Sequence, residues 1–113
     1  MKRLAFALAA FAVALFGQSA DTGILGTVTD QSGSVIVGAV VTISSTAIGF
    51  NRSVVTTADG QYEVRYLLPD DYVVQVRMSG FRPERTAGIT LRIGQLARVD
   101  FKLQVGAVTE AVE

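Results

Sequence analysis

The chain contains no histidine and no cysteine among its 113 residues, and tryptophan is absent as well. Without these residue types the sequence cannot form a serine–histidine or cysteine–histidine catalytic pair, or a zinc site with nitrogen or sulfur ligands. A disulfide framework is excluded for the same reason. We therefore expect a protein that is not an enzyme, with no catalytic residues, no resident metal and no cofactor.

The sequence also lacks a cluster of positively charged residues. Lysine and arginine together number ten, the same as aspartate plus glutamate, and two of the ten basic residues are Lys2 and Arg3. If the N-terminal segment is removed, eight basic residues face ten acidic ones, a net charge of about −2. Nucleic-acid binding requires lysine and arginine clustered against phosphates. The composition therefore predicts no nucleic-acid partner.

A long apolar run occurs at the N-terminus. Residues 4–16 are thirteen consecutive apolar residues, preceded by two basic residues and followed by the small residues Gly17, Ser19 and Ala20. As a helix this run is about 20 Å long, short of the roughly 30 Å hydrocarbon core of a bilayer. The layout predicts a cleavable signal helix over residues 1–20, cut after Ser19 or Ala20. We therefore expect an exported protein, in the periplasm, associated with the outer membrane, or extracellular.

Beyond this leader the apolar residues recur with period two, which is the pattern of a half-buried strand. Seven segments show the pattern, separated by turns: residues 24–29, 40–43, 53–57, 62–66, 72–77, 89–93 and 99–103. Short strands at such spacing are typical of sandwiches. The sequence predicts an all-β fold, a seven-stranded antiparallel β-sandwich over residues 21–105, followed by a linker or disordered tail over residues 106–113. The side chains expected in the core are Val28, Val41, Tyr62, Tyr72, Val74 and Phe101.

Short motifs follow one another in a fixed order along these strands. They are Ile24-x-Gly26-x-Val28-x-Asp30, Gly33, Gly38-Ala39-x-Val41, Asp59-Gly60-x-Tyr62, Leu68-Pro69-x-x-Tyr72-x-Val74-x-Val76, Gly80-Phe81 and Val99-x-Phe101-x-Leu103. In order and spacing the chain resembles the carboxypeptidase regulatory-like domain, a transthyretin-like (prealbumin-like) sandwich related to collagen-adhesin B-type repeats. Asp70 departs from the family pattern, which usually has glycine in the turn before Tyr72. The resemblance implies a sandwich of that type.

The C-terminal residues carry a second resemblance. Residues 105–110 are similar to the segment that follows such a domain at the front of Oar-like TonB-dependent outer-membrane receptors, where a plug and a barrel come next. The resemblance implies a structural or interaction module of the envelope. Its partner would be a receptor plug or barrel or a neighbouring surface protein, and it would reach the membrane only through that partner. A shortened receptor and a free-standing module both remain open at this point.

Aromatic residues beside loops are the candidate ligand contacts. Tyr66 and Phe81 are expected to be better exposed than Tyr62 and Tyr72, which fall at inward positions. An exposed ring can stack on a sugar, and the fold is similar to starch-binding-like sandwiches. The alternative function is therefore a carbohydrate-binding module.

Two acidic motifs have plain structural interpretations. Asp21-Thr22-Gly23 matches the catalytic tripeptide of aspartic proteases, but we expect it at a mobile terminus rather than in a central dyad. Asp59, Asp70 and Asp71 could offer oxygen ligands to calcium, but acidic residues in such positions usually serve turn geometry.

Overall fold

The computed structural model describes residues 21–106, which form eight strands in two sheets. The predicted signal peptide and residues 107–113 of the predicted tail lie outside the described residues. The strands are β1 (Gly23–Asp30), β2 (Val40–Ser45), β3 (Phe50–Val55), β4 (Gln61–Arg65), β5 (Asp71–Arg77), β6 (Glu84–Thr90), β7 (Leu96–Arg98) and β8 (Phe101–Leu103). In the part of the chain so described, no helix has the length and apolar character needed to cross a membrane.

The two sheets face each other across one core. In the first sheet β1 is central, with β4 antiparallel on one side and the short strands β7 and β8 on the other. The second sheet is antiparallel throughout, in the order β3-β2-β5-β6. Because side chains alternate along each strand, every second residue points into the space between the sheets. The predicted all-β sandwich is confirmed.

The core contains all six side chains that the alternation placed there. Its buried apolar members are Ile24, Val28, Ile36, Ala39, Val41, Ile43, Tyr62, Val64, Leu67, Tyr72, Val74, Val76, Leu91, Phe101 and Leu103. A buried phenol requires a hydrogen-bond partner for its hydroxyl group. The Tyr62 hydroxyl donates to the carbonyl oxygen of Val99 at 2.5 Å, and the Tyr72 hydroxyl donates to that of Leu68 at 2.6 Å.

The last expected strand, residues 99–103, is shorter than predicted, because only Phe101–Leu103 forms a strand (β8). Val99 and Asp100 separate it from β7 (Leu96–Arg98), an additional short strand that the alternation did not predict. The Val99 amide donates to the Leu25 carbonyl at 2.8 Å, and the Asp100 carboxylate accepts from the Thr27 amide at 2.8 Å. The chain thereby crosses so close to β1 that a Cβ on Gly26 would lie 1.9 Å from the Val99 oxygen. Both short strands run parallel to β1, so the first sheet is mixed and not fully antiparallel as expected.

The edge strands of the second sheet also begin earlier than expected. The alternation predicts the sixth strand over residues 89–93, but β6 begins at Glu84. Most of its side chains are exposed, and its register against β5 shifts between Tyr72 and Val74, so its sequence shows little alternation. β3 begins at Phe50, three residues before the predicted segment 53–57, and most of its side chains are exposed as well.

The sandwich has two ends. Its N-terminal end carries Thr22 and the β2–β3, β4–β5 and β6–β7 loops, and its C-terminal end carries the β1–β2, β3–β4 and β5–β6 loops and residues 104–106. Large apolar side chains that residues 21–106 leave exposed lie at these ends. They are Ile48, Tyr66, Leu68, Ile93 and Leu96 at the N-terminal end, and Val35, Val37, Val40, Val55 and Val105 at the C-terminal end.

Candidate functional site

Tyr66 lies in the β4–β5 loop with its side chain largely exposed. Its φ of 60° is in the left-handed region, and it is the one non-glycine residue of residues 21–106 with a positive φ. This conformation turns Leu67 into the core, where its amide donates to the Thr22 carbonyl at 2.9 Å. The hydrogen bond from Tyr72 to the Leu68 carbonyl fixes the other side of the loop. The residue of this loop with a left-handed conformation is therefore Tyr66. Asp70, where the family usually has glycine, keeps a negative φ.

Thr22 joins the two loops of the N-terminal end. Its carbonyl accepts from Leu67, and its Oγ1 accepts from the Gly94 amide at 2.8 Å. The neighbouring Asp21 side chain pairs with Arg65 on the surface. The protease-like tripeptide is thus held by β4 and the β6–β7 loop rather than at a free terminus as expected, and its threonine is buried among backbone groups.

Ile93 ends the predicted segment 89–93, but the structure places it outside any strand, with its side chain exposed. β6 ends at Thr90, and the next residues turn back on themselves. The Gln95 amide donates to the Arg92 carbonyl at 3.0 Å, and the Arg92 amide donates to the Gln95 Oε1 at 3.0 Å. Leu91 is therefore the last inward residue, and Ile93 projects from the tip of the loop. Gly94, whose φ is 80°, is the residue in the sequence that indicates such a turn.

Phe81 lies at the opposite end, in the β5–β6 loop, and is half-buried against the core. It forms an antiparallel bridge with Val105, and it lines a shallow groove with Val40, Arg77 and Met78. Its ring is therefore less available for stacking than that of Tyr66.

The structure does not bring the two candidate ligand contacts together. The loops that carry Tyr66 and Phe81 are separated by the length of β5, which has seven residues. At about 3.3 Å per residue the separation is on the order of 20 Å or more. One sugar ring cannot contact both side chains, so the two residues belong to separate surfaces.

Of the three acidic residues considered as calcium ligands, Asp70 and Asp71 accept hydrogen bonds within the domain. Asp70 accepts from the amide of Asp71 at 2.7 Å, and Asp71 accepts from the Thr90 hydroxyl at 2.7 Å. Hydrogen bonding from Ser32 lowers the pKa of Asp30, whose carboxylate also caps the turn after β1. Among the described residues, no three histidine, cysteine or acidic side chains are grouped as metal ligands would be.

These features define a small mixed β-sandwich domain with apolar side chains exposed at both ends. The family model of the carboxypeptidase regulatory-like domain matches residues 23–104. The chain belongs to that family, as the order of its motifs indicated.

A curated relative and several solved structures are similar to the chain. The TonB-dependent transporter Oar of Myxococcus xanthus is 37% identical over 101 residues, which cover 88% of this chain and 9% of the transporter. The chain therefore corresponds to a small part of that relative. The Bacillus anthracis TIE protein matches with a TM-score of 0.59 and 20% identity, over 76% of this chain and 17% of that one.

Two further structures share the fold. A putative carbohydrate binding protein from Bacteroides uniformis matches with a TM-score of 0.56 and 20% identity, over 72% of this chain and 40% of that one. Hydroxyquinol 1,2-dioxygenase from Pseudomonas putida matches with a TM-score of 0.61 and 11% identity, over 78% of this chain and 57% of that one. At such identities these likenesses show the fold alone, because one sandwich fold serves many functions.

Proposed function

We propose that this chain is a non-catalytic module of the cell envelope, the N-terminal extension of a TonB-dependent outer-membrane receptor. The observation that carries the proposal is the 37% identity to a TonB-dependent transporter across 88% of the chain. The predicted signal peptide supports export to the periplasm or the outer membrane. In this role the domain supplies spacing and a contact surface for a receptor plug or barrel, or for a neighbouring surface protein.

The path of the chain supports a role as an in-line spacer. The described chain starts at Asp21 at the N-terminal end and reaches Gly106 at the C-terminal end. β1, which joins the two ends, has eight residues and spans about 26 Å. A domain that is entered at one end and left at the other adds its full length between the segments on either side of it.

The backbone holds the departing chain in a fixed direction. The Arg82 amide donates to the Gln104 carbonyl at 2.8 Å, and the Gly106 amide donates to the Gly80 carbonyl at 2.9 Å. A Cβ on Gly106 would lie 2.9 Å from the Phe81 carbonyl carbon. These pairings continue to Gly106, one residue beyond the predicted domain boundary. They support a defined orientation of the C-terminal end toward whatever partner lies beyond it.

A non-catalytic role is supported by how the polar side chains are used. Histidine and cysteine are absent from the sequence. The carboxylates of Asp30, Asp70, Asp71 and Asp100 accept hydrogen bonds from backbone amides or hydroxyl groups of the sandwich. Each therefore has a structural role that accounts for its position.

Site-specific photo-crosslinking in a Gram-negative host tests the proposal. A crosslinking amino acid at Val37, exposed at the C-terminal end, should capture an outer-membrane receptor identified by mass spectrometry. The matched control is Ser53, which is exposed on the outer face of β3, and it should capture none. Equal capture from both positions, or no receptor captured from Val37, would contradict the proposal.

Carbohydrate binding is the second candidate, and the exposed ring of Tyr66 is the observation that favours it. A single ring, with Phe81 half-buried at the other end, offers little stacking surface. We therefore expect no measurable affinity for starch, cellulose or chitin oligomers by calorimetry. Saturable millimolar binding that Tyr66→Ala abolishes would favour this candidate over the first.

A further inference from the structure

The N-terminal end exposes four large apolar side chains on two adjoining segments. Tyr66 and Leu68 in the β4–β5 loop are 79% and 63% exposed, and Ile93 and Leu96 after β6 are 73% and 41% exposed. Thr22 accepts hydrogen bonds from both segments, and Gly23 pairs with Arg65 on one side and Leu96 on the other. The four side chains therefore flank the same short stretch of chain. We call this set the apolar tip.

The exposed Tyr66 also has a strained backbone conformation, with a φ of 60°. A tyrosine in the left-handed region is disfavoured by about 1–2 kcal/mol relative to its ordinary conformations. The hydrogen bonds of Thr22 and Tyr72 hold the loop in this arrangement, which buries Leu67 and leaves the Tyr66 ring outside. Strained conformations that the surrounding structure maintains cluster at functional sites such as ligand clamps.

The charges around the apolar tip are of both signs. Arg65 pairs with Asp21 and Glu63, and hydrogen bonding to Glu63 raises the pKa of Arg65. Arg92 and Asp70 flank the two loops. Because no basic cluster is present at this end of the described residues, attraction to an anionic partner is not the feature that distinguishes it. Its distinguishing feature is exposed apolar surface.

The length of chain before Asp21 indicates which apolar partner is near. The apolar run of residues 4–16 ends five residue steps before Asp21. Fully extended, five steps span at most about 18 Å. The polar layer on each side of a bilayer is on the order of 6 Å thick. A membrane that takes up residues 4–16 therefore holds the apolar tip at or close to its own surface.

We propose that the apolar tip is a lipid-contact surface. Tyr66, Leu68, Ile93 and Leu96 insert at the boundary between headgroups and acyl chains of the membrane that receives the leader, and they retain affinity for that surface after the leader is removed. Tyrosine suits this boundary because its ring is apolar and its hydroxyl can remain hydrated. The inference goes beyond the proposed function, and it replaces the expectation from the sequence that the module reaches the membrane only through a partner protein.

Flotation of the processed protein with phosphatidylcholine vesicles, with and without phosphatidylglycerol, tests the proposal. The form without residues 1–20 is suitable because residues 21–106 supply the complete core described above. Binding should be similar for both vesicle types, since the charges around the apolar tip are of both signs. Replacing Ile93 with serine should lower the partition coefficient about tenfold, the effect of removing part of one buried isoleucine.

A matched control is Val55→Ser, which removes an apolar side chain that is 57% exposed at the C-terminal end. It should leave vesicle binding unchanged. Both variants should keep the parent melting temperature, because surface substitutions rarely change stability by more than about 0.5 kcal/mol. The proposal is overturned if the parent protein binds neither vesicle, if Val55→Ser reduces binding as much as Ile93→Ser, or if binding occurs to anionic vesicles alone. None of these results would affect receptor capture from Val37, so the two proposals fail separately.

Discussion

The hydroxyl of Tyr62 on β4 donates a 2.5 Å hydrogen bond to the carbonyl of Val99, in the break between β7 and β8. The bond crosses β1, which lies between these two elements. It holds the link between β7 and β8 against β1 at the point where the regular strand pairing is interrupted. Loss of this one hydroxyl should therefore weaken the closure of the fold.

Replacing Tyr62 with phenylalanine should lower the free energy of unfolding by about 1–2 kcal/mol at neutral pH, because the Val99 carbonyl loses its side-chain donor. Urea denaturation of parent and variant measures the difference. The variant should also change the pH dependence. Burial raises the pKa of Tyr62, and the nearby Asp100 carboxylate raises it further.

The sign of this pH effect follows from the direction of the shift. A free tyrosine has a pKa of about 10, so above that pH the unfolded chain loses a proton that the folded state retains. Stability is thus intact below about pH 10 and falls above it, by up to about 1.4 kcal/mol per pH unit. Tyr62→Phe should lack this contribution, whereas the pKa of Tyr72, also raised by burial, contributes equally in both proteins. If the stability of the parent and that of Tyr62→Phe fall equally with pH above 10, the raised pKa does not belong to Tyr62.

Position 26 must be glycine because the backbone of Val99 passes close to it. An added Cβ would lie 1.9 Å from the Val99 oxygen and 2.7 Å from its carbon, both of them backbone atoms that cannot rotate away. Gly26→Ala should therefore cost about 3 kcal/mol or more. Gly49→Ala is the control, since that position is open but has a φ of 66°, and it should cost about 1 kcal/mol from backbone conformation alone. Equal losses in thermal denaturation would show that β1 and Val99 are not in contact.

Phe101 and Lys102 test the alternation of β8 directly. Phe101 is buried and paired with Val28, whereas Lys102 is exposed. Phe101→Ala should cost about 3–5 kcal/mol, a large part of the roughly 5–15 kcal/mol that stabilises such a domain. Lys102→Ala should be nearly neutral. A melting temperature of the Phe101 variant within a degree or two of the parent would refute the packing of the last strand.

Replacing Tyr66 with glycine should raise the free energy of unfolding of the domain. Relief of the left-handed strain outweighs the added entropy of the unfolded chain, giving a net gain of a few tenths of a kcal/mol to about 1 kcal/mol. Leu68→Gly, at a position of negative φ in the same loop, should lose about 0.5–1 kcal/mol. If both variants lose stability equally, Tyr66 does not carry the strain.

The parts of the fold that the sequence predicts are those set by side-chain burial. Period-two alternation located Val41, Tyr72 and Phe101 correctly, because core-facing residues must be apolar on strands with a polar outer face. The first five residues of edge strand β6, residues 84–88, escaped prediction because most of the strand's side chains are exposed. The bridge between Phe81 and Val105 also escaped prediction, since it is made by backbone atoms far apart in sequence, which leave no side-chain pattern.

The candidate surfaces were predictable to a similar degree. Exposure of Tyr66 follows from its position at the end of a strand, but its left-handed φ does not, because that depends on Thr22 and Tyr72. Ile93 continued the alternation of its neighbours, and the turn at Arg92 that exposes it depends on the side chain of Gln95. Local pattern alone could not separate these tertiary effects from a continuing strand.

The proposal of an exported envelope module is tested most directly by the intact mass of the protein in fractionated cells. The account predicts a processed form in the envelope fraction that begins at or near Ala20 or Asp21, about 2 kDa lighter than the full chain. The mature species should then be the sandwich with Thr22 in place between its two loops. Envelope protein that still carries Met1 or Lys2, or full-length protein confined to the cytoplasm, would contradict it.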